Sequence, residues 1–440
     1  MNLSQKVAYN TLVQVFSKIA TVCFGLLTTI LLTRYLGKEG FGDYMYVITL
    51  VVLFGAFADW GTQTIGVREA SRESKHQNQT LMNIVFVRLL LALAAAILMV
   101  LVATLLPLKF GQSVLIRKGI ALGSLITLLF ATKASLGIIF QTKLVMQKLA
   151  IVDILASFLI LLISWFFIQF QAGFLSLLMV VILANLAALI LAFFLAKRII
   201  KIGFQINKQF IKSFLKESWP MGIILLVFTV DNKIDTIMLG LLKGSGAVGI
   251  YAVSYRIYDV LILGAAYLMN ALLPILSKYS DLKQFDQRLK LIFQKTFDLM
   301  LLMSGGVVIV TWVMAPFIVR VITQTMFHEF FDSVLVLRIL SMALFLAYFN
   351  HLIGYTIVAL GRQRRYLIIS LGALFFNVLS NYFTIQRYSY FGAAVITVLT
   401  EGLILIVTSF YILKLINFVP SLTTFPSTLI ELLKKKGKIF

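Results

Sequence analysis

Charge, proline, histidine and cysteine are all scarce in this 440-residue chain: 13% of its residues are charged, with six prolines, three histidines and one cysteine. The lone Cys23 leaves neither a disulfide framework nor a cysteine metal site available. His76, His328 and His351 are too widely separated to supply metal-ligand spacing. No P-loop, GxSxG, HExxH or acidic DxD pair occurs, and no stretch between apolar runs is long enough to hold a catalytic domain. Acidic residues are few as well, 17 against 39 basic, for a formal charge of +22. Such a charge could serve nucleic acid, but here the basic residues fall between apolar runs of about 20 residues, each able to cross a hydrocarbon core roughly 30 Å thick. No nucleic-acid partner is expected.

Apolar residues are what the chain does have: 60% are hydrophobic and mean hydropathy is +0.99, far from soluble composition. The sequence reads as an all-α polytopic membrane protein with about twelve spans. They begin near Tyr9, Asp43, Asn83, Lys118, Ala150, Gly173, Ser218, Val248, Phe293, Val334, Leu367 and Phe391. Continuous rather than alternating apolar runs make these spans helices, since a helix satisfies its own backbone in lipid and an open strand does not. Lys18 interrupts the first run and no small-residue cleavage site follows, so that run is expected to be a retained helix rather than a signal peptide. Lysine and arginine concentrate in the tails and the even-numbered loops, which by the positive-inside rule puts both termini in the cytoplasm.

An internal repeat divides the chain. Leu32, Gly37, Gly42 and Tyr44 match Leu239, Gly244, Gly249 and Tyr251, each displaced by 207, so both copies read L-x4-G-x4-G-x-Y. A second match aligns Ile168, Gln169 and Phe174 with Ile385, Gln386 and Phe391. Two six-helix bundles follow, at 1–200 and 218–416. Six is even, so the halves are parallel repeats about an axis along the membrane normal. Between them, residues 201–217 place Lys208, Lys212 and Lys216 four apart, opposite Phe210, Ile211, Phe214 and Leu215. That pattern suits a cytoplasmic linker helix lying in the interface, and equally a basic topogenic loop. Residues 417–440 form a basic cytoplasmic tail.

A charge near the bilayer centre costs roughly 2.5–3.5 kcal/mol on insertion scales, so charges within spans need a compensating environment. Lys18, Lys133, Lys233 and Arg256 lie deep, as do Asp59, Asp231, Asp235, Asp259 and Glu401. Arg88 and Arg338 fall near span ends, where their side chains can snorkel, and Asp153 and Asp298 near cytoplasmic ends, where a structural role suffices. Arg256 and Asp259, three apart, can pair within one helix. Asp231 and Asp235 share a face while Lys233 points elsewhere, so that span needs partners on other helices or water. A hydrated cavity near the midplane supplies such an environment: its cations suit an anionic cargo, its acids proton or sodium coupling. Paired charges that merely fix helix packing are the alternative.

The stretch LLTRYLGKEGFGDYMYVITLVVLFGAFADWGTQTIGVREASR, with Leu36-Gly37, Gly42-x-Tyr44, Asp59, Gly61 and Arg68-Glu69, resembles the opening of Wzx-type oligosaccharide flippases, the polysaccharide transport proteins of the MATE-like MOP exporter superfamily. Asp235, Leu239-Gly240, Gly249-x-Tyr251, Pro274, Gly392-Ala393-Ala394 and Glu401 extend the resemblance over nearly the whole chain. It implies a MATE-like pair of bundles that moves undecaprenyl-diphosphate-linked oligosaccharide across the cytoplasmic (inner) membrane of a bacterium or archaeon by alternating access. It implies no enzyme activity and no cofactor, with an H+ or Na+ gradient or the membrane potential as the driving force. Lipid-linked oligosaccharide, membrane lipids and the polymerase and chain-length machinery are the implied partners. Lys18, Lys133, Lys233 and Arg256 become the cargo-binding candidates; Asp59, Asp231, Asp235 and Glu401 become the coupling or gating ones. A MATE-type drug exporter, a lipid II flippase and, from another class, a polysaccharide polymerase or ligase are the competing readings.

Overall fold

The computed structural model describes residues 3–72, 76–105, 113–200, 203, 206–278 and 287–426. Among these, every regular element is helical. Among the described residues, nine helical segments are long and apolar enough to cross a membrane. Two of them contain a backbone break, at Gly37 and at Ser389, that divides each into two spans. A further helix, α7, carries Asp231, Lys233 and Asp235 and is correspondingly less apolar; with it the spans number twelve, and the fold class read from the sequence stands.

The first compact unit is Met1–Gly249. It holds α1 (Leu3–Asp59, kinked at Gly37), α2 (Thr62–Arg72), α3 (Gln77–Leu105), α4 (Ser113–Thr142), α5 (Met146–Gln169), α6 (Phe174–Lys197), α7 (Lys208–Lys243) and the start of α8 (Ser245–Leu261). Helix α4 packs between α3 and α6, while α1 lies on α4, α5 and α7. Lipid tails are as apolar as leucine, so close van der Waals fit rather than hydrophobicity drives such packing. In α6 the fit comes from Ala184, Ala188, Ala192 and Ala196, one per turn and all buried, while Leu183, Ile190, Phe193 and Phe194 stay exposed as a lipid-facing stripe. Asn10 ties the start of α1 to the turn after α4: its Nδ2 donates to the Leu144 carbonyl at 2.9 Å and its Oδ1 accepts from the Met146 N–H at 2.9 Å.

Helices begin earlier than the apolar runs. Helix α3 starts at Gln77, not near Asn83, because a helix continues past the hydrocarbon into polar sequence where its first N–H groups meet water. Likewise α7 starts at Lys208 and runs through Pro220 to Lys243, so the basic segment expected in the interface is continuous with the seventh span. Asn207 caps it, its side chain accepting from the Phe210 N–H at 3.0 Å. Most of residues 201–206 and all of the tail from 427 onward lie outside the described residues.

The second unit, Ile250–Phe440, contains the rest of α8, then α9 (Leu263–Lys278), α10 (Gln287–Thr323), α11 (Ser333–Ala359) and α12 (Gln363–Ile416, broken at Ser389). Helix α11 is its centre, packed on α9, α10 and α12 and burying Leu337, Leu340, Leu344, Ala347 and Tyr348. The segment after α12 folds back onto α10: the Gln294 amide bonds the Ser421 backbone and Thr424, and the buried Asp298 carboxylate accepts from the Thr424 hydroxyl at 3.0 Å. Asp298 is thus structural, the role its position near a span end suggested.

The sequence repeat is also a structural one. Gly37 and Gly244, equivalent by the 207-residue shift, adopt nearly the same backbone, φ 66° with ψ −174° and φ 86° with ψ −175°, which L residues rarely take. The equivalent Gly42 and Gly249 meet the opposite copy reciprocally. A β-carbon on Gly42 would lie 1.8 Å from the Ser245 carbonyl oxygen, and one on Gly249 would lie 2.0 Å from that of Lys38. Lys38 and Ser245 are themselves related by 207. The Ser245 hydroxyl also donates to Asp43. Replacing Gly42 or Gly249 with alanine is expected to force these backbones apart and destabilise the protein by about 1–3 kcal/mol, the usual cost of overpacking. Gly55→Ala, where no atom lies within 4 Å of the added carbon, should be neutral or slightly stabilising in the same detergent thermal unfolding.

Candidate functional site

Two bonded polar groups in the first unit involve charged residues within the spans. In one, the Asp59 carboxylate at the end of α1 pairs with the Arg88 guanidinium of α3 at 2.8 Å. The Arg88 side chain is only 3% exposed, and it also donates to Ser135 of α4 at 2.9 Å and to Thr62 of α2 at 2.7 Å. Asp59 in turn accepts from the Gln63 N–H at 2.9 Å, and the Thr62 hydroxyl bonds the Asp59 carbonyl. One guanidinium therefore joins four helices. Arg88 does not snorkel; because α3 starts at Gln77, it sits about three turns inside the helix and finds its counter-ion there instead.

In the other group, Lys133 on α4 is buried and pairs with Asp153 on α5 at 3.1 Å, its ammonium 5.0 Å from the Phe130 ring centroid. A buried cation with a carboxylate and an aromatic face is well compensated. Lys18 is exposed on α1, and on α7 Asp235 is buried while Asp231 and Lys233 are half-buried. The four candidate cations stand on separate helices: Lys18 on α1, Lys133 on α4 and Lys233 on α7 of the first unit, and Arg256 on α8 in the second. The Arg68-Glu69 motif has a clear structural use, since Arg68 bonds both Glu69 and, across to α7, Glu217.

In the second unit the polar residues gather around α11 and α12. Glu401 accepts from the Asn350 amide at 2.6 Å and from the Tyr258 hydroxyl at 3.4 Å. The same amide reaches the Glu401 carbonyl at 2.9 Å, while the Asn350 Oδ1 is buried without a hydrogen-bond partner. A ladder of rings, Tyr251, Tyr255 and Tyr258, with centroids 5.4 and 5.3 Å apart, leads along α8 to the carboxylate. Asn381 donates to Asn377 at 2.9 Å, Asn377 to Thr400 at 3.3 Å, and Tyr251 lies 3.2 Å from the Thr397 hydroxyl. Half-buried Arg256 holds its Nε away from solvent with no hydrogen-bond partner. His351 is a packed polar residue, its Nδ1 on the Ala347 carbonyl at 2.9 Å, and Arg338 anchors to Trp312 by a 3.1 Å bond to its carbonyl and by its ring.

Such an arrangement offers fixed anionic acceptors and hydroxyls inside helix bundles, with no nucleophile–base pair among them. Among the described residues no group of three His, Cys, Asp or Glu side chains could hold a metal ion. Sequence reasoning overlooked Arg88 as the partner of Asp59, and Asn350 and Tyr258 as the partners of Glu401. The signal for Asn350 was present: it is an amide in the middle of an otherwise apolar run, where interhelical hydrogen bonding is the usual reason for one.

A family model described as "Polysaccharide biosynthesis protein" matches residues 3–280, and a second, MatE, matches 220–383. No curated protein matches the chain. Among solved structures, "Lipid II flippase MurJ, inward closed conformation" superposes with a TM-score of 0.74 at 17% identity, covering 96% of this chain and 96% of that one. "Inward-facing conformation of a multidrug resistance MATE family transporter of the MOP superfamily" superposes with 0.71 at 14% identity, over 90% and 94%. A MOP superfamily transporter from Pyrococcus furiosus gives 0.57 at 14%, over 95% and 96%. At these identities the likeness is one of fold.

Removing Asp59 strands Arg88 in a buried site, whereas removing Arg88 leaves a half-buried Asp59 that water still reaches. Asp59→Ala is expected to cost roughly 3–5 kcal/mol in thermal unfolding and Arg88→Ala less, with the double variant clearly below the sum of the two.

Proposed function

The chain belongs to the polysaccharide biosynthesis protein family, and from that membership we propose that it is a flippase for undecaprenyl-diphosphate-linked oligosaccharide units destined for surface polysaccharide such as O-antigen, capsule or exopolysaccharide. The observation that carries the reading is the family match over residues 3–280, well over half of the chain. The multi-pass helical fold shared with flippases and transporters supports it. The membrane is the cytoplasmic membrane, with both termini on its cytoplasmic face. Polymerase and chain-length machinery receive the product.

We assign Lys18, Lys233 and Arg256 to the phosphates of the cargo during its passage. Lys133, bonded to Asp153, holds α4 against α5. Coupling to an H+ or Na+ gradient falls to Asp231, Asp235 and Glu401, and Asp59 positions helices through Arg88. No step here makes or breaks a covalent bond. The work is done by differential binding of cargo and ion to two conformations of the carrier.

The MatE match over residues 220–383 favours a second reading, an ion-coupled exporter of drugs or metabolites. Deletion of the gene in its own organism separates the two. The flippase reading expects undecaprenyl-diphosphate oligosaccharide to accumulate and surface polymer to fall, both reversed by this gene, with the glycan identified by mass. Unchanged lipid-linked glycan together with raised drug susceptibility would establish the exporter instead. In the complemented strain, Glu401→Gln is expected to lower surface polymer at least tenfold at unchanged protein level, since an amide cannot accept at both positions that Asn350 and Tyr258 now occupy.

A further inference from the structure

Apart from the polar groups described above, a cleft of about 620 Å³ runs between α1 and α5 of the first unit. Its walls are apolar: Leu27, Leu31, Phe158 and Leu162 are typical. One end differs. There Arg34 and Tyr35 come from α1, just before the Gly37 kink, and Trp165 from α5, one turn before that helix ends at Gln169. Leu27 and Phe158 are each seven residues earlier on their helices, which places them about 10 Å deeper along the helix axes.

The gradient along the cleft is that of one lipid leaflet. Tryptophan and tyrosine settle at the headgroup level, and an arginine one or two turns from a span end reaches the same level, whereas leucine and phenylalanine below them match hydrocarbon. Leu27, Phe158, Leu162 and Trp165 are each about half exposed, so the cleft is open along its length to what surrounds the helices. Arg34 is the one charged residue in the lining, and a single guanidinium suits a single phosphate, bound bidentately. A diphosphate, with about two negative charges, calls for two or more cations. The volume suits a single hydrocarbon chain rather than a folded protein segment.

We propose that this cleft is a binding site for an anionic bilayer phospholipid, one acyl chain lying between α1 and α5 and the phosphate on Arg34. The proposal does not depend on the flippase reading. A lipid held there ties the first span to the fifth just below the Gly37 kink, where α1 turns into the segment that meets its repeat copy.

The test uses Trp165 as its own probe. The chain has four tryptophans, so a Trp60→Phe, Trp219→Phe, Trp312→Phe variant leaves only the one in the cleft. This full-length protein is placed in phosphatidylcholine nanodiscs carrying a small fraction of dibrominated phosphatidylglycerol or dibrominated phosphatidylcholine. Quenching of Trp165 should show about fivefold preference for the anionic lipid, the enrichment one basic residue gives at an anionic surface. Arg34→Gln should abolish the preference and Arg34→Lys should retain most of it. If the triple variant does not fold, the difference between wild-type and Trp165→Phe quenching reads the same quantity. Equal quenching by the two lipids, or a preference untouched by Arg34→Gln, would overturn the proposal. So would displacement of the brominated lipid by stoichiometric undecaprenyl diphosphate, which would give the cleft to the cargo's carrier.

Discussion

A charge in hydrocarbon must find its partner inside the protein, and this constraint organises both units. Arg88 illustrates it most fully. Its guanidinium takes a carboxylate from Asp59 and hydroxyls from Thr62 and Ser135, so four helices are located relative to one another by the needs of one side chain. Lys133 does the same on a smaller scale for α4 and α5. In water such pairs contribute little net stability, because the separated ions are well solvated. Within a span the separated state is the costly one, so these pairs specify packing more strongly than the leucines around them do.

Close backbone approach is the second device, and it follows from the same solvent. With no hydrophobic effect to draw helices together in lipid, contact area comes from removing side chains. The alanines of α6 do this along a whole face. Gly42 and Gly249 do it at a point, each facing a carbonyl of the other repeat copy at a distance no β-carbon tolerates. Because Gly37 and Gly244 share one left-handed backbone turn just before these contacts, the two copies present themselves in the same way. The duplicated motif is thus a matched pair of surfaces, and its glycines are there for geometry.

In the second unit the polar cluster has a different character. Glu401 is held by neutral donors, Asn350 and Tyr258, rather than by a cation. Asp59, by contrast, is paired with the Arg88 guanidinium. This distinction separates a carboxylate held by an amide and a hydroxyl from one paired with a cation that braces helices. It also divides acids that appear equivalent when counted along the sequence.

The sequence alone determined the class of molecule and its periodicity. Run length, hydropathy and the 207-residue repeat were enough for twelve helical spans, because crossing a bilayer imposes one length and one backbone solution on any chain. Helix ends were legible only approximately, as at Gln77 and Lys208, since hydropathy reports where hydrocarbon begins and a helix does not stop there. Only the tertiary structure decided which charges are partners. Asp59 and Arg88 are 29 residues apart and Glu401 and Asn350 are 51 apart, so no helical periodicity relates them. Their pairing depends on how neighbouring helices rotate and slide against each other, and that is fixed by packing between residues distant in the chain.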